Sequence, residues 1–133
     1  MKASGGDELW TFARFNPGQD FGSVDIEMDA ERQESWGRVF GSVSDRLPRG
    51  MLVTAMMEAY IEAIQPRPDG NVHASQELAF KGERVCWNDT VSIAVSCDDK
   101  AVKKGRFWVR FAVVARVGER VVMTGTIHSI WAA

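Results

Sequence analysis

The segment that most constrains the fold is LPRGMLVTAMMEAYIEAIQP, residues 47–66, which is apolar on almost every side. Its few polar residues after Met51 recur at spacings of four, four and three, so they form one narrow stripe of a helix. They are Thr54, Glu58, Glu62 and Gln65. Pro66 and Pro68 end the segment, because proline cannot continue a helix. A helix that is apolar nearly all round, here about 22 Å long, must be covered nearly all round.

The second half of the chain has the sequence pattern of strands that could cover this helix. After Gly70 the apolar residues alternate with a period of two, which is typical of strands with one buried face. The first set is Val91, Ile93, Val95 and Cys97, the second is Phe107, Val109, Phe111 and Val113, and the third is Val121, Met123 and Ile127, which alternate with Val122, Thr124, Thr126 and His128. Residues 71–80 follow the pattern more weakly, and hairpin turns are expected at 98–100 and 117–119.

These patterns predict an α+β hotdog fold, in which a curved antiparallel sheet of about four long strands wraps a long central helix. The first half adds a strand at 9–15, a short strand at 23–28 and a helix at 30–40. Asp29 is the expected N-cap of that helix and Gly41 its stop signal. The 133 residues suit one domain, 1–133.

Composition narrows the class of partner. The formal net charge is −2, which disfavours nucleic acid as the main partner because phosphate binding needs a basic excess. No apolar run reaches the roughly 18 residues that a membrane span needs. The first residues, MKASGGDELW, lack the apolar core of a secretory signal, and two cysteines suit a reducing compartment. We therefore expect a cytoplasmic protein with no membrane partner.

Several segments, in their order and spacing, resemble the MaoC-like dehydratases of the hotdog superfamily. They are FNPGQDF, PRGML, PRPDGNVHASQELAFKGERVCWNDTV and ERVVMTGTI, and together they cover most of the chain. Asn88 stands where the family usually has a glycine turn, and asparagine tolerates the left-handed conformation. The resemblance implies an acyl-CoA thioester ligand without any further cofactor, hydratase or dehydratase activity, and a homodimer or dimer of dimers with sites between subunits.

The resemblance also implies that a backbone N–H at the start of the buried helix holds the thioester carbonyl, and Gly50 matches that donor. Unpaired N–H groups and partial positive charge at a helix N-terminus suit an oxyanion. The alternative is that Gly50 only fits a tight turn after Pro48. Arg49 and Met51 flank it and are expected to contact the ligand.

The acid and base that the family uses before this helix are missing, since GRVFGSVSDRLPRG contains no histidine and no Asn-Pro. Three residues could replace them: Glu58, two turns after Gly50, Asp45 before the helix, and His73 on a strand. For Glu58, partial burial is expected to raise the pKa. The alternatives are that Glu58 belongs to a polar stripe at a dimer interface, that Asp45 is a solvated loop carboxylate, and that His73 is a structural histidine.

Cations that could pair with CoA phosphates are Arg49, Lys104 and Arg106. For Lys104 and Arg106 the alternative is that they only lie on a solvated turn. His73 and His128 lie on separate predicted strands and do not have the spacing of metal ligands, so no metal is expected. Two other functions stay open. One is a hotdog acyl-CoA thioesterase that uses Glu58, and the other is a non-catalytic protein that binds acyl thioesters.

Overall fold

A computed structural model describes residues 8–41, 44–82 and 84–133. It contains a five-stranded antiparallel sheet, in the order β1-β3-β4-β5-β2, and two α-helices. The elements are β1 (Asp20–Glu27), α1 (Ala30–Phe40), α2 (Arg49–Ala63), β2 (Val72–Phe80), β3 (Thr90–Lys103), β4 (Arg106–Val117) and β5 (Arg120–Trp131). Within the described ranges, neither α-helix is long and apolar enough to cross a membrane.

The central strands β3 and β4 confirm the predicted alternation. On β3, the residues from Val91 to Cys97 at every second position are buried, and on β4 Val109, Phe111 and Val113 are buried opposite them. Residues of this set face α2, and we call their side of the sheet the helix-facing side. The residues between them lie on the opposite side, the outer face. A continuous core therefore forms between α2 and the three central strands.

Two register shifts alter the predicted strand pattern. Between Cys97 and Asp99 an extra residue enters β3, so the strand continues to Lys103 and the hairpin turn predicted at 98–100 is wrong. The turn instead lies at Lys104-Gly105. A shift of the same kind between β4 and β5 lets Val122 and its neighbour Met123 both be buried, contrary to strict alternation. The turn predicted at 117–119 is confirmed.

Strand β2 is an edge of the sheet, paired only with β5. Most of its residues are exposed, including Val72 at 50%. Leu78 and Phe80 are half-buried on the helix-facing side, opposite Gly125 and Met123 of β5. An edge strand with an unpaired row of backbone groups is a ready template for pairing with another strand.

Helix α1 has the predicted bounds and both predicted signals. The Asp29 side chain accepts a hydrogen bond from the Arg32 N–H at 2.9 Å. The Gly41 N–H donates to the Gly37 carbonyl at 2.8 Å, with a positive φ of 87° that favours glycine. None of the eleven residues of α1 is buried. Local capping rather than core burial therefore defines this helix.

Helix α2 is buried on one face. Met51, Leu52, Ala55, Met56, Ala59 and Tyr60 form that face, which packs on β1 and β3. Val53 and Met57 are only half-buried, and Ile61 is 47% exposed. One chain thus covers part of this apolar helix and leaves an apolar stripe open. At 15 residues, the helix is about 22 Å long.

The strand predicted at 9–15 is wrong. Phe12–Arg14 form a 3₁₀ turn, and the backbone bonds lead elsewhere: Trp10 N–H donates to the Pro66 carbonyl at 2.9 Å and Phe12 N–H to the Ala133 carbonyl. The aromatic side chains of this segment pack against the end of the core, where the fully buried Phe15 contacts Trp10 and Trp131. Alternating aromatic residues here reflect packing, not a strand ladder.

Candidate functional site

The start of α2 borders a groove between the two helices. Its volume is 380 Å³, and its walls come from α1 and its cap on one side and from Met51 and Thr54 on the other. The α1 wall is formed by Asp29, Glu31, Arg32 and Ser35. We call this the inter-helix groove. Gly50 and Glu58 lie one turn before and one turn after Thr54 on the same face of α2.

The first turn of α2 has a backbone donor without an acceptor. Pro48 is the N-cap and contributes no side-chain hydrogen bond. The Met51 N–H donates to the Pro48 carbonyl at 3.0 Å. Among the residues that the structure describes, none accepts a hydrogen bond from the Gly50 N–H. Partial positive charge at a helix N-terminus makes such a group suitable for an oxyanion.

Trp36 covers Gly50, a contact that the sequence patterns did not predict. A β-carbon at position 50 would lie 2.9 Å from the far edge of the Trp36 ring, which is closer than real β-carbons approach. The Trp36 ring also packs on Phe40 one turn later, with centroids 4.2 Å apart. Any larger residue at position 50 would therefore push the Trp36 ring aside, whereas Gly50 fits beneath it. The four-residue spacing of Trp36 and Phe40 indicates an aromatic face on α1, but it does not indicate which residue that face covers.

Glu58 is held by Arg32 of α1 in a two-bonded ion pair, with nitrogen–oxygen distances of 2.6 and 2.9 Å. The hydrogen bond from the Arg32 guanidinium lowers the pKa of the Glu58 carboxyl, and burial opposes it more weakly. The expected rise in pKa is therefore wrong. Glu58 is ionised at neutral pH, and both of its oxygens are occupied, so it must leave Arg32 in part before it can act as a base.

Arg49 and Met51 lie on different sides of the helix start. The Arg49 guanidinium packs over the Phe80 ring, 4.9 Å from its centroid, at the end of β2. Met51 is nearly buried and lines the inter-helix groove. The structure thus places Met51 beside the groove and Arg49 toward the β2 edge, both within one residue of Gly50.

Asp45 and His73 are not gathered at Gly50 within one chain. Asp45 is exposed, and its backbone carbonyl accepts a hydrogen bond from the Trp87 N–H at 3.0 Å. The His73 ring meets the Tyr60 ring edge-on with centroids 6.2 Å apart. Tyr60 follows Gly50 by ten residues, so His73 lies about 15 Å along the helix from it.

Lys104 and Arg106 lie together at the β3–β4 hairpin and far from Gly50. The Gly50 end of the core is marked by Phe80, which pairs with Met123 of β5. The hairpin end is marked by Trp131, eight residues further along β5. At about 3.3 Å per residue, these ends are roughly 27 Å apart along the strand. A ligand that touches all these cations must therefore span the sheet or two chains.

The start of α2 supplies a backbone donor for a negatively charged oxygen, but among the described residues no histidine acid or base lies beside it. A free backbone donor at the start of α2 can stabilise negative charge on a carbonyl oxygen. Two helical turns further along α2, Glu58 is an ionised carboxylate held by Arg32. Asp29 and Glu31 add two more carboxylates to the wall of the inter-helix groove. Within the described parts of the chain, no histidine lines that groove.

No family model matches the chain, and no curated protein matches its sequence. Solved structures do resemble it. A monoamine oxidase regulatory protein from Archaeoglobus fulgidus has a TM-score of 0.77 at 8% identity, and the match covers 92% of this chain and 94% of that one.

Two further similar structures are enzymes by name. The (R)-hydratase from A. caviae involved in PHA biosynthesis has a TM-score of 0.67 at 15% identity, with 87% of this chain and 96% of that chain covered. A thioesterase from Thermus thermophilus, complexed with coenzyme A and Zn, has a TM-score of 0.66 at 14% identity, covering 87% and 82%. At such identities the likeness concerns fold alone. The chain has the five-stranded antiparallel sheet and two helices of the hotdog fold.

Proposed function

We propose that this chain binds acyl-CoA thioesters and catalyses hydration or dehydration of the acyl group, as a MaoC-like protein. The observation that carries the proposal is the free Gly50 N–H at the start of α2, beside the inter-helix groove. Folds of this type are used by an (R)-hydratase and by a thioesterase that binds coenzyme A. The thioester carbonyl would accept a hydrogen bond from Gly50.

In the proposed reaction, the Gly50 N–H stabilises the negative charge that develops on the carbonyl oxygen. When water adds to an enoyl thioester, a C–O bond forms at the β-carbon and electron density moves onto the carbonyl oxygen. A proton then joins the α-carbon. A backbone N–H aimed at the oxygen stabilises the intermediate charge, and removing one such donor typically costs roughly 10²–10³ in rate. Gly50 has this role in the proposal.

A homodimer formed through β2 would complete the site. Its edge is exposed, and α2 leaves Val53, Met57 and Ile61 incompletely covered. If two β2 strands pair antiparallel about their centres, His73 of one copy comes to the Leu78–Phe80 end of the other. Arg49 lies at that end. His73 would then add an imidazole near Gly50 that can act as acid or base.

Thioester hydrolysis is a second candidate, favoured by the state of Glu58. Because Arg32 lowers its pKa, Glu58 is ionised and can accept a proton from water or attack the thioester carbon. It lies two helical turns from Gly50, about 12 Å along the axis. Movement of α1 would be needed to release Glu58 from Arg32. The same oxyanion donor serves both reactions.

The donor can be tested with a matched pair of variants. Gly50→Pro removes the N–H, and proline is tolerated in the first turn of a helix. Gly50→Ala keeps the N–H but adds the same crowding against Trp36. We expect turnover of Gly50→Pro to fall at least about 100-fold below that of Gly50→Ala. Equal rates in the two variants would contradict the role of Gly50.

The reaction is identified by mass spectrometry of enoyl-CoA and saturated acyl-CoA panels after incubation with the protein. Gain of one water with CoA still attached supports the hydratase, and His73→Gln should then lower the rate. Release of free CoA supports the thioesterase, and Glu58→Gln should abolish it. Tight binding with every thioester unchanged would mean a non-catalytic acyl-thioester-binding protein, and the catalytic proposal would be withdrawn.

A further inference from the structure

A second groove lies on the outer face of the sheet, at the end formed by the β3–β4 hairpin. Its volume of 490 Å³ is within the usual range for small-molecule sites. Residues that line it include Lys103, Lys104, Arg106, Trp108, His128 and Ile130. We call it the hairpin groove. The proposed thioester chemistry at Gly50 does not use it.

The groove has an excess of positive charge that nearby acids do not neutralise. Among the residues that the structure describes, no carboxylate forms an ion pair with Lys103, Lys104 or Arg106. The acidic side chains next to the groove are already engaged elsewhere. Asp98 and Asp99 pair with Arg110, at 2.6 and 3.7 Å.

His128 faces the remaining acid. Glu77 of β2 lies 3.0 Å from the imidazole Nε2. The three hairpin cations therefore project around the groove without a counter-charge from the described chain. Unpaired cations around a concave surface attract anions, and arginine in particular can bind phosphate oxygens through two parallel hydrogen bonds.

Lys104 occupies a backbone position where lysine has no structural advantage. The two-residue turn Lys104-Gly105 has positive φ at both residues, 52° and 75°. Such turns strongly favour asparagine followed by glycine, and a lysine in the left-handed region is uncommon. Turn geometry alone therefore does not account for the cation at the tip of the hairpin.

The floor of the groove is apolar where Trp108 of β4 and Ile130 of β5 line it as direct cross-strand neighbours. Ala101 of β3 and Val72 of β2 continue the same row across the sheet. All four lie on the outer face, because they alternate with buried residues such as Val109 and Trp131. Trp108 and Ile130 are only half-buried. An indole next to cations offers one surface for a planar ring and another for its charged substituent.

We propose that the hairpin groove binds a nucleotide, with its phosphates at Lys103, Lys104 and Arg106 and its base against Trp108. This pairing of charge and ring matches both parts of the groove, whereas inorganic phosphate would leave the apolar floor empty. A long polyanion is disfavoured because the chain as a whole has a formal net charge of −2. The groove is also bounded at the Glu77 side by negative charge.

The test uses ADP as the probe, by isothermal titration of the full chain. We expect saturable binding at one site, with adenosine and pyrophosphate each binding at least about tenfold more weakly than ADP. Trp108→Leu, which retains apolar contact with Ile130, should weaken ADP and adenosine binding about fivefold or more, because stacking is lost.

Lys104→Asn separates binding from folding. Asparagine is the favoured residue at this turn position, so the melting temperature should stay the same or rise while ADP affinity falls about three- to tenfold. Lys81→Asn removes the same charge at an exposed position outside the hairpin and should change affinity less than about twofold. Equal weakening by the two variants would show non-specific attraction and overturn the proposal.

Two further ligands, CoA and an oligonucleotide, distinguish the kinds of molecule that could carry the nucleotide into the groove. If CoA displaces ADP and Lys104→Asn weakens both equally, the groove takes the nucleotide part of a thioester. If CoA leaves ADP bound, a free nucleotide is the ligand. An oligonucleotide that binds more tightly than ADP in proportion to its length would overturn the assignment, as would the absence of saturable ADP binding. None of these readouts depends on turnover at Gly50.

Discussion

The two helices of this chain reach stability by opposite routes. Helix α1 has a side-chain N-cap and a glycine stop, yet none of its residues is buried. Helix α2 has no side-chain cap, yet six of its fifteen residues are buried in the core. The contacts of α1 with α2 include the Trp36 ring over Gly50 and the Arg32 pair with Glu58. Capping can thus define a helix that the core hardly holds, and burial can hold a helix that is poorly capped.

The sharpest test of this difference is a cavity under α2. Met56 is fully buried, so Met56→Ala should lower the free energy of unfolding by about 2–5 kcal/mol. Ile61→Ala, on the open side of the same helix, should cost less than about 1 kcal/mol. Urea unfolding of the two variants measures both. Equal losses would contradict the one-sided burial of α2.

Removing the cap should affect α1 selectively. Asp29→Ala deletes the acceptor for the Arg32 N–H, and a lost N-cap typically costs about 1 kcal/mol. Because α1 is weakly held, we expect the loss to appear as local opening, with hydrogen exchange of the α1 amides faster by about fivefold and α2 protected as before. Uniform loss of protection in both helices would show that they unfold together.

The contact between the helices can be tested with alanine at position 50. Gly50→Ala pushes against Trp36, and since α1 can shift, the cost should be only about 1 kcal/mol. In a Trp36→Ala background, the same change should become neutral or stabilising, because alanine is favoured over glycine in a helix. A double-mutant cycle by thermal unfolding gives the coupling. An unchanged effect of alanine in both backgrounds would refute this contact.

The smallest expected effect depends on pH. Arg32 lowers the pKa of Glu58 from 4.5, so the folded state binds this proton less readily than the unfolded state. The pair's contribution is present above the unfolded value of 4.5 and is lost as pH falls through the lower folded value. Glu58 is partly exposed, at 42%, so the contribution is at most about 0.5–1 kcal/mol.

Unfolding of wild type and Glu58→Gln across the acid range, from about pH 3 to about pH 7, measures this contribution. The difference between the two curves should shrink toward acid. A difference that is constant across the range would mean that the ion pair adds nothing specific, and α1 would then be held mainly by Trp36.

Much of the fold could be predicted because its signals are local. The bounds of α1 follow from Asp29 and Gly41, and burial on β3 and β4 follows from strict alternation. The failures lie where distant residues decide the outcome. The extra residue at Cys97–Asp99 has no signature in the sequence, and the segment at 9–15 is held by backbone bonds to Pro66 and Ala133.

The candidate site was less predictable than the fold. Gly50 is identified by its place at the helix start, but Trp36 above it comes from α1, and nothing in the local sequence pairs them. Glu58 was expected to have a raised pKa from burial alone. Arg32 reverses the sign, and it lies 26 residues earlier in the chain. Electrostatic partners of this kind are visible only once the helices are packed.

The extra residue in β3 has a consequence for how this protein could diverge. Before it, odd-numbered residues face the core, and after it even-numbered ones do, as Lys100 shows by donating to the Phe12 carbonyl at 2.9 Å. Deleting Asp98 would restore strict alternation without turning the residues after it, because Cys97 would still face the core and Asp99 the outer face. Lys103 would then stay on the outer face and Val102 on the helix-facing side. The bulge can therefore be lost by a single-codon deletion without exchanging the two faces of the distal hairpin, whose recognition surface changes only by substitution.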